Sequence, residues 1–345
     1  MATAQRKRSR KTTVISLLVG VVVMIAVFAF LFPHMGTYEQ AVAQLQSIPP
    51  AWIAALVLAG LANIAVYPLT AIAAIPGMRY WHAFVDRQVG FMISNVIPGG
   101  GAVAVGTQYS ILSFYGVSTA AAAAAVSADA VWTYLMVLGT PALAVALLVI
   151  DGRSAAGYTT AAIVGLVVVI VSMILIAAVL RSSESARKIG ERAQRPATWL
   201  WHVIRRPAPD VASSLVAFNE EASAMVAHRW PALTLTNVAA QVAPYVVLLV
   251  AVAGLGAFPA PLNWIEIFAA YSIALLLTSF PITPGGLGTV DAALVLLLTQ
   301  FGVSSTTAIA ADLIWRLVWF LPQLLVGLGA LGIFTLQRRR RGRAS

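Results

Sequence analysis

The 345-residue sequence has no cysteine, and only 10% of its residues are charged. The first absence removes disulfides, thiolate zinc sites and iron–sulfur clusters from consideration. The second is incompatible with an ordinary soluble domain, which carries roughly 25% charged residues. His34, His82, His202 and His228 are too far apart to make a ligand pair on one helix turn, so no metal site and no cofactor are expected. Neither Gly-rich stretch, Pro98-Gly99-Gly100 or Pro284-Gly285-Gly286, ends in the Lys-Ser/Thr that a nucleotide-binding loop needs. Alternating apolar and polar residues, the mark of a membrane β-barrel, are absent as well.

What remains is 60% apolar, in long uncharged runs such as Val14 to Phe32 and Trp52 to Ile75. A helix needs about 20 such residues to cross the roughly 30 Å hydrocarbon core. Apolar segments lie at 13–33, 51–75, 84–114, 119–150, 156–180, 231–257, 264–300 and 305–336. The net charge of +10 could suggest nucleic acid, but its placement argues for a membrane. Five cations fall in Arg6 to Lys11, five in Arg338 to Arg343, and eight between Arg181 and Arg229. Such clusters flanking apolar spans follow the positive-inside rule and suit anionic lipid head groups. The first apolar run is too long for a signal peptide core, and Phe32-Pro33-His34 offers no small-residue cleavage site, so an uncleaved span is expected.

Charge also decides which segments cross. The segment 33–50 holds Glu39 but no Lys or Arg and is placed outside, whereas 76–88, with Arg79 and Arg87, is placed inside. If 84–114 crossed once, the strongly basic connection 181–230 would be exported. The conflict disappears if 84–114 enters from the cytoplasm and returns, broken at Pro98-Gly99-Gly100-Gly101. The segment 264–300, broken at Pro281-Ile282-Thr283-Pro284-Gly285-Gly286, likewise enters from outside and returns there.

An internal repeat supports this arrangement. Pro98-Gly99-Gly100 precedes Tyr115-Gly116-Val117-Ser118 as Pro284-Gly285-Gly286 precedes Phe301-Gly302-Val303-Ser304. Asp129-Ala130-Val131-Trp132 then matches Asp312-Leu313-Ile314-Trp315 with a small shift, and Pro141 and Pro322 follow. The expected fold is an all-α integral membrane protein, with about six full transmembrane helices plus two re-entrant helical hairpins in an inverted-topology repeat. A basic cytoplasmic N-terminus (1–12) precedes a single transmembrane domain (13–336), and a basic cytoplasmic tail (337–345) follows it. Repeat 1 spans about 51–150 and repeat 2 about 231–336. In the connection 181–230, Trp199, Trp201, His202 and Arg205-Arg206 suit a head-group layer. Asp210 can cap an amphipathic helix whose Val211, Leu215, Phe218, Ala222 and Met225 share a face.

The residues Asn95-Val96-Ile97-Pro98-Gly99-Gly100 and Ser279-Phe280-Pro281-Ile282-Thr283-Pro284-Gly285-Gly286-Leu287-Gly288-Thr289-Val290-Asp291 resemble the two hallmark motifs of the lysylphosphatidylglycerol synthase transmembrane-region family. That family includes the flippase half of the multiple peptide resistance factor and stand-alone relatives. The resemblance covers about residues 14–336 and implies movement of lipids or lipid-linked molecules between leaflets of a bacterial plasma membrane. Members often have Glu where this chain has Asp291, and many have Arg where it has Gly106-Thr107-Gln108-Tyr109. The soluble aminoacyl-transferase domain of two-domain members does not follow, so lipid aminoacylation is not expected.

Ionisable residues in a membrane core are costly and are functional candidates by default. Asp312 and Arg316 are four apart and can pair on one helix face, either as glue for the bundle or as a cation where a lipid phosphate pauses. Asp129 lacks such an Arg on its own helix and has Thr133 and Tyr134 as candidate donors. Asp129 and Asp291 can each be structural or carry a coupling proton, and Glu266 is read as solvated near the outer interface. Gly99, Gly100, Gly101, Gly285, Gly286 and Gly288 either allow tight packing or offer half-helix amides to a phosphate. The leading function is a lipid flippase acting on an anionic phospholipid or polyprenyl-phosphate-linked substrate, without enzymatic activity of its own. The alternative is a non-transporting membrane subunit that presents lipid to a separate synthase or glycosyltransferase. A lipid-modifying enzyme and a second copy of the chain are open as partners, and nucleic acid is not expected.

Overall fold

A computed structural model describes residues 38–97, 100–152, 167, 170–171, 174–175, 178–203, 210–279 and 283–344. Every regular element among them is helical. The helices are α1 (Tyr38–Gln46), α2 (Pro50–Val66), α3 (Leu69–Ala74), α4 (Tyr80–Val96), α5 (Gly101–Phe114) and α6 (Thr119–Ile150). There follow α7 (Ser183–Val203), α8 (Val211–Gly254), α9 (Trp264–Leu276), α10 (Thr289–Gln300), α11 (Ser305–Trp315) and α12 (Leu321–Ala344).

Four stretches are long and apolar enough to cross a membrane: Pro50–Ala74, Thr119–Ile150, His228–Gly254 and Ser305–Arg341. They coincide with four of the expected spans. The expected span 13–33 lies outside the described residues, as does most of 156–180. The arms of the two broken segments are shorter, at 17 and 14 residues for α4 and α5 and 13 and 12 for α9 and α10. At 1.5 Å per residue the longest reaches only about 26 Å, short of the hydrocarbon core.

The two repeats are alike in local structure. In each, a helix stops at a Pro-Gly-Gly break and a second helix follows. The chain then turns at a left-handed glycine, Gly116 (φ 86°) or Gly302 (φ 117°), and a serine caps the next helix. Ser118 Oγ accepts from the Ala121 amide and Ser304 Oγ from the Thr307 amide, each satisfying an orphan N–H of the first turn.

The basic connection departs from expectation. Asp210 does cap a helix, accepting from the Ser213 amide at 3.0 Å, and the Ser213 hydroxyl and amide hold its carboxyl below the usual carboxylate range. That helix, α8, does not end before the apolar span. It runs 44 residues through Pro231 and Pro244. A proline inside a helix costs about 3 kcal/mol, and contacts on the N-terminal side of Pro231 hold the helix together. Gly190 of α7 lies against the Ala212 backbone, where a Cβ would come within 2.4 Å of Cα, and Asn219 donates to the Val179 carbonyl at 2.8 Å. Arg229 donates to the Ile72 and Ala73 carbonyls at the end of α3. The side chains of Trp199, Trp201, His202, Arg205, Arg206, Phe218, Ala222 and Met225 lie outside what is described.

Packing divides the chain into two compact units. One comprises the residues up to Gly60, Gln88–Thr107 and Val246–Gln337; the other comprises Leu61–Arg87, Gln108–Tyr245 and the residues from Arg338. The first depends on glycines for close approach. A Cβ on Gly327 of α12 would lie 2.4 Å from the Gln88 carbonyl oxygen, and one on Gly60 of α2 would lie 2.9 Å from that of Val318. The second has a core in which small alanines of α6 (Ala122, Ala125, Ala128) meet Ala73 and Ala74 of α3, closed by Trp132, whose indole N–H donates to Thr234.

Candidate functional site

The second break lies in the first unit. After α9 the chain makes a short 3-10 turn, Leu277–Ser279, and another at Pro284–Gly286, before α10 begins at Thr289. Gly285, Gly286 and Gly288 have φ of 61°, 67° and 85°, a region that other residues enter only with strain. Gly285 has a second constraint. A Cβ there would lie 2.5 Å from the Phe320 ring and 3.5 Å from the carbonyl oxygen of Asn95, in the last turn of α4. The two hairpins therefore meet near their broken ends. Gly100 is equally tight, with a Cβ position 2.3 Å from the Ile93 carbonyl oxygen, whereas Gly101 has open space and Gly99 lies outside the described residues.

Opposite this break the helix after α11 widens into a π turn, Arg316–Phe320. Such turns recur at functional sites because they re-aim side chains out of the regular helical rows. Arg316 is 1% exposed. Its Nε donates to Asp291 Oδ1 at 2.5 Å, its Nη1 to the Gly285 carbonyl at 3.2 Å and its Nη2 to the Gly286 carbonyl at 3.5 Å. The guanidinium also lies over the rings of Trp315 and Phe320, 5.1 and 5.0 Å from their centroids. The sequence spacing led to a different expectation, a pair between Arg316 and Asp312. Three acceptors on the hairpin outweigh one carboxylate on the same helix.

The break uses much of its own backbone. The Gly286 amide donates to the Thr283 carbonyl, the Gly288 amide to Asp291 Oδ2, and the Gly100 amide to the Ile97 carbonyl. These amides, proposed from the sequence as a phosphate cradle, serve the turns instead. The unused donors nearby are side chains. Ser279 Oγ and Trp319 Nε1 are buried without a partner among the described residues, and three contacts leave two of the five Arg316 N–H groups. Asp312, fully buried, has neither oxygen bonded among the described residues. Glu266 is not solvated: it is 1% exposed, and its carboxylate accepts from the Asn263 amide in a capping box.

With the breaks and their buried charges in view, comparison with known proteins is decisive. The model of the family described as Lysylphosphatidylglycerol synthase TM region matches residues 15–327. The chain belongs to that family. No curated protein matches it. Membership and the four apolar spans make it a multi-pass membrane protein.

The second unit of this family member holds another buried charge cluster. Arg87 on α4 donates through Nη1 to Asp129 Oδ2 at 2.7 Å and through Nη2 to the other carboxylate oxygen and to Thr70. Its guanidinium sits 5.5 Å from the Tyr67 ring centroid. Asp129 thus has the arginine that its own helix lacks, supplied from the first hairpin, while Tyr134 is 58% exposed. Of the two arginines in the segment 76–88, Arg79 is exposed and Arg87 is buried. Beside it Asp86 is 3% exposed, with Oδ1 unpartnered among the described residues. The sequence reasoning missed Asp86. Its one signal was an acidic residue beside Arg87 at the head of an apolar segment.

In each repeat, then, an Arg–Asp pair ties a hairpin to the helix that follows it: Arg87 to Asp129 and Arg316 to Asp291. The arginine sits on the hairpin in the first and on the following helix in the second. Both coupling candidates taken from the sequence, Asp129 and Asp291, are held in these pairs.

Proposed function

We propose that this chain is a lipid flippase, moving a phospholipid or lipid-linked head group between leaflets of the plasma membrane. The observation that carries the reading is the set of unused donors around the second break. Ser279 Oγ and Trp319 Nε1 are buried donors lacking acceptors among the described residues, and the three Arg316 contacts there leave two of its N–H groups over. Leaving a buried donor unmet costs about 1–3 kcal/mol, and an anionic head group rich in acceptors removes that cost. Family membership and the basic clusters at Arg6 to Lys11 and Arg338 to Arg343 point the same way.

On this reading the hairpins are re-entrant and enter from opposite leaflets, so that repeats 1 and 2 are inverted copies and both termini are cytoplasmic. The glycines of both breaks let the tips close on each other. Opening them frees Arg316 from the Gly285 and Gly286 carbonyls and turns it to a phosphate, with Asp312 beside the route. The acyl chains stay in the bilayer while the head group crosses through a wet groove. No step needs a cofactor.

The test is reconstitution of the purified chain in liposomes carrying a head-group-labelled anionic phospholipid or polyprenyl phosphate, with a membrane-impermeant reagent reporting the exposed fraction. Full accessibility of the inner-leaflet label supports the proposal. Protein-free kinetics with every lipid tried would overturn it and favour a subunit that presents lipid to another enzyme.

A further inference from the structure

The Asp291–Asp312–Arg316 cluster holds two carboxyl groups and one guanidinium, all buried: Asp291 is 3% exposed, Asp312 0% and Arg316 1%. Asp291 is committed on both oxygens, one to Arg316 and the other to the Gly288 amide. Asp312 meets no donor among the described residues; what its carboxyl faces is Asp291. Two facing acceptors repel unless a hydrogen lies between them. The charged groups facing Asp312 are Asp291 on α10 and Arg316 in the π turn of its own helix. From α1, Gln44 contributes only a neutral amide, hydrogen-bonded to Thr307, and Tyr271 of α9 stacks edge-on with Trp315. Among the described residues no second cation balances the second carboxylate. A lone buried charge in such surroundings neutralises instead of remaining ionised.

We infer that Asp312 is a proton-binding site, holding at neutral pH a hydrogen that it shares with Asp291, and releasing it when the Arg316 clamp on the second break opens. As a coupling site it rests on the transport reading; as a proton site it does not. The assignment differs from the one the sequence invited. The exchangeable proton sits on the carboxyl without a cation and not on Asp129 or Asp291, each of which is paired with an arginine. Opening delivers the proton because water then reaches the pair, and Arg316, one helical turn from Asp312 and freed from Gly285 and Gly286, has N–H groups for this carboxylate as well as for a phosphate. A proton taken up on one side of the membrane is thereby tied to the position of the break. In the second unit Asp86, beside the Arg87–Asp129 pair, has the same excess of one carboxyl over one guanidinium.

The experiment is infrared difference spectroscopy of the full-length chain in lipid nanodiscs, stepped from neutral to alkaline pH and read at the carbonyl stretch of protonated carboxylic acids. The wild type is expected to show a protonated carboxyl that disappears at alkaline pH. Asp312→Asn, which copies the neutral form and preserves its shape, should lose that component. Asp291→Asn should lose it too, since one carboxylate then faces one guanidinium and pairs with it. Asp86→Asn should leave it in place. A wild type without the signal, or a signal unchanged in Asp312→Asn, overturns the inference. If the signal behaves as stated but no lipid moves in liposomes, the transport reading falls and the proton site stands. If lipid moves and the signal is absent, the reverse holds.

Discussion

Removing the Arg316 guanidinium should be among the most destabilising single changes available in this chain. Arg316→Leu leaves Asp291 buried without its cation and releases the Gly285 and Gly286 carbonyls. Breaking a buried pair by deleting one partner costs about 3–5 kcal/mol, because the other charge stays in place uncompensated. At about 1.4 kcal/mol per factor of ten, the upper part of that range changes the folded-to-unfolded ratio more than a thousandfold. The partner matters as much as the arginine. Asp291→Asn added to Arg316→Leu removes the stranded charge while keeping a side-chain oxygen for the Gly288 amide, so the double variant should recover more than half of the lost stability. It should not recover lipid exchange, since the cation is still missing. Unfolding by denaturant in mixed micelles, followed by helical circular dichroism, supplies the stabilities. An Arg316→Leu variant within about 0.5 kcal/mol of wild type, the range of ordinary surface substitutions, would refute the reasoning. So would a double variant no more stable than the single.

Three further outcomes follow from the geometry. Gly285→Ala places a side chain at φ 61° and 2.5 Å from the Phe320 ring, so it should cost at least the 1–2 kcal/mol of a left-handed residue and slow lipid exchange; a thermal midpoint and rate equal to wild type would contradict the close approach at the break. Arg87→Lys keeps the charge but loses the two-pronged contact with Asp129 and the reach to Thr70, and it should be destabilising in the same unfolding assay, whereas a neutral result would mean that a point charge is enough. Arg229→Ala frees the Ile72 and Ala73 carbonyls at the end of α3 and should cost about 1 kcal/mol, read as hydrogen exchange confined to that helix end; protection identical to wild type would remove the cap from the account.

Features with a local cause could be read from the sequence. Four spans follow from apolar run length, and the Gly-Val-Ser turns at 115–118 and 301–304 announced Gly116, Gly302 and the serine caps, which need only the residues beside them. The charge partners could not be read in this way. Arg87 meets Asp129 across 42 positions and Arg316 meets Asp291 across 25. Helical spacing offered only Asp312 to Arg316 and nothing to Asp129. The π turn at Arg316–Phe320 has no compositional mark. The continuity of α8 through Pro231 was hidden for a similar reason: the proline's penalty is local, and the contacts of Arg229, Gly190 and Asn219 that offset it are not.

The central claim is that the two halves sit in the membrane upside down relative to each other, and it has a direct test. Thr119 and Ser305 are the first residues of α6 and α11, occupy equivalent places in the two repeats, and are both exposed. Because the chain has no cysteine, Thr119→Cys and Ser305→Cys each provide a single label site without further engineering. Reacted with an impermeant maleimide on intact cells, Ser305→Cys should be labelled at once and Thr119→Cys only after the membrane is opened. Labelling of both from the same side would contradict the account.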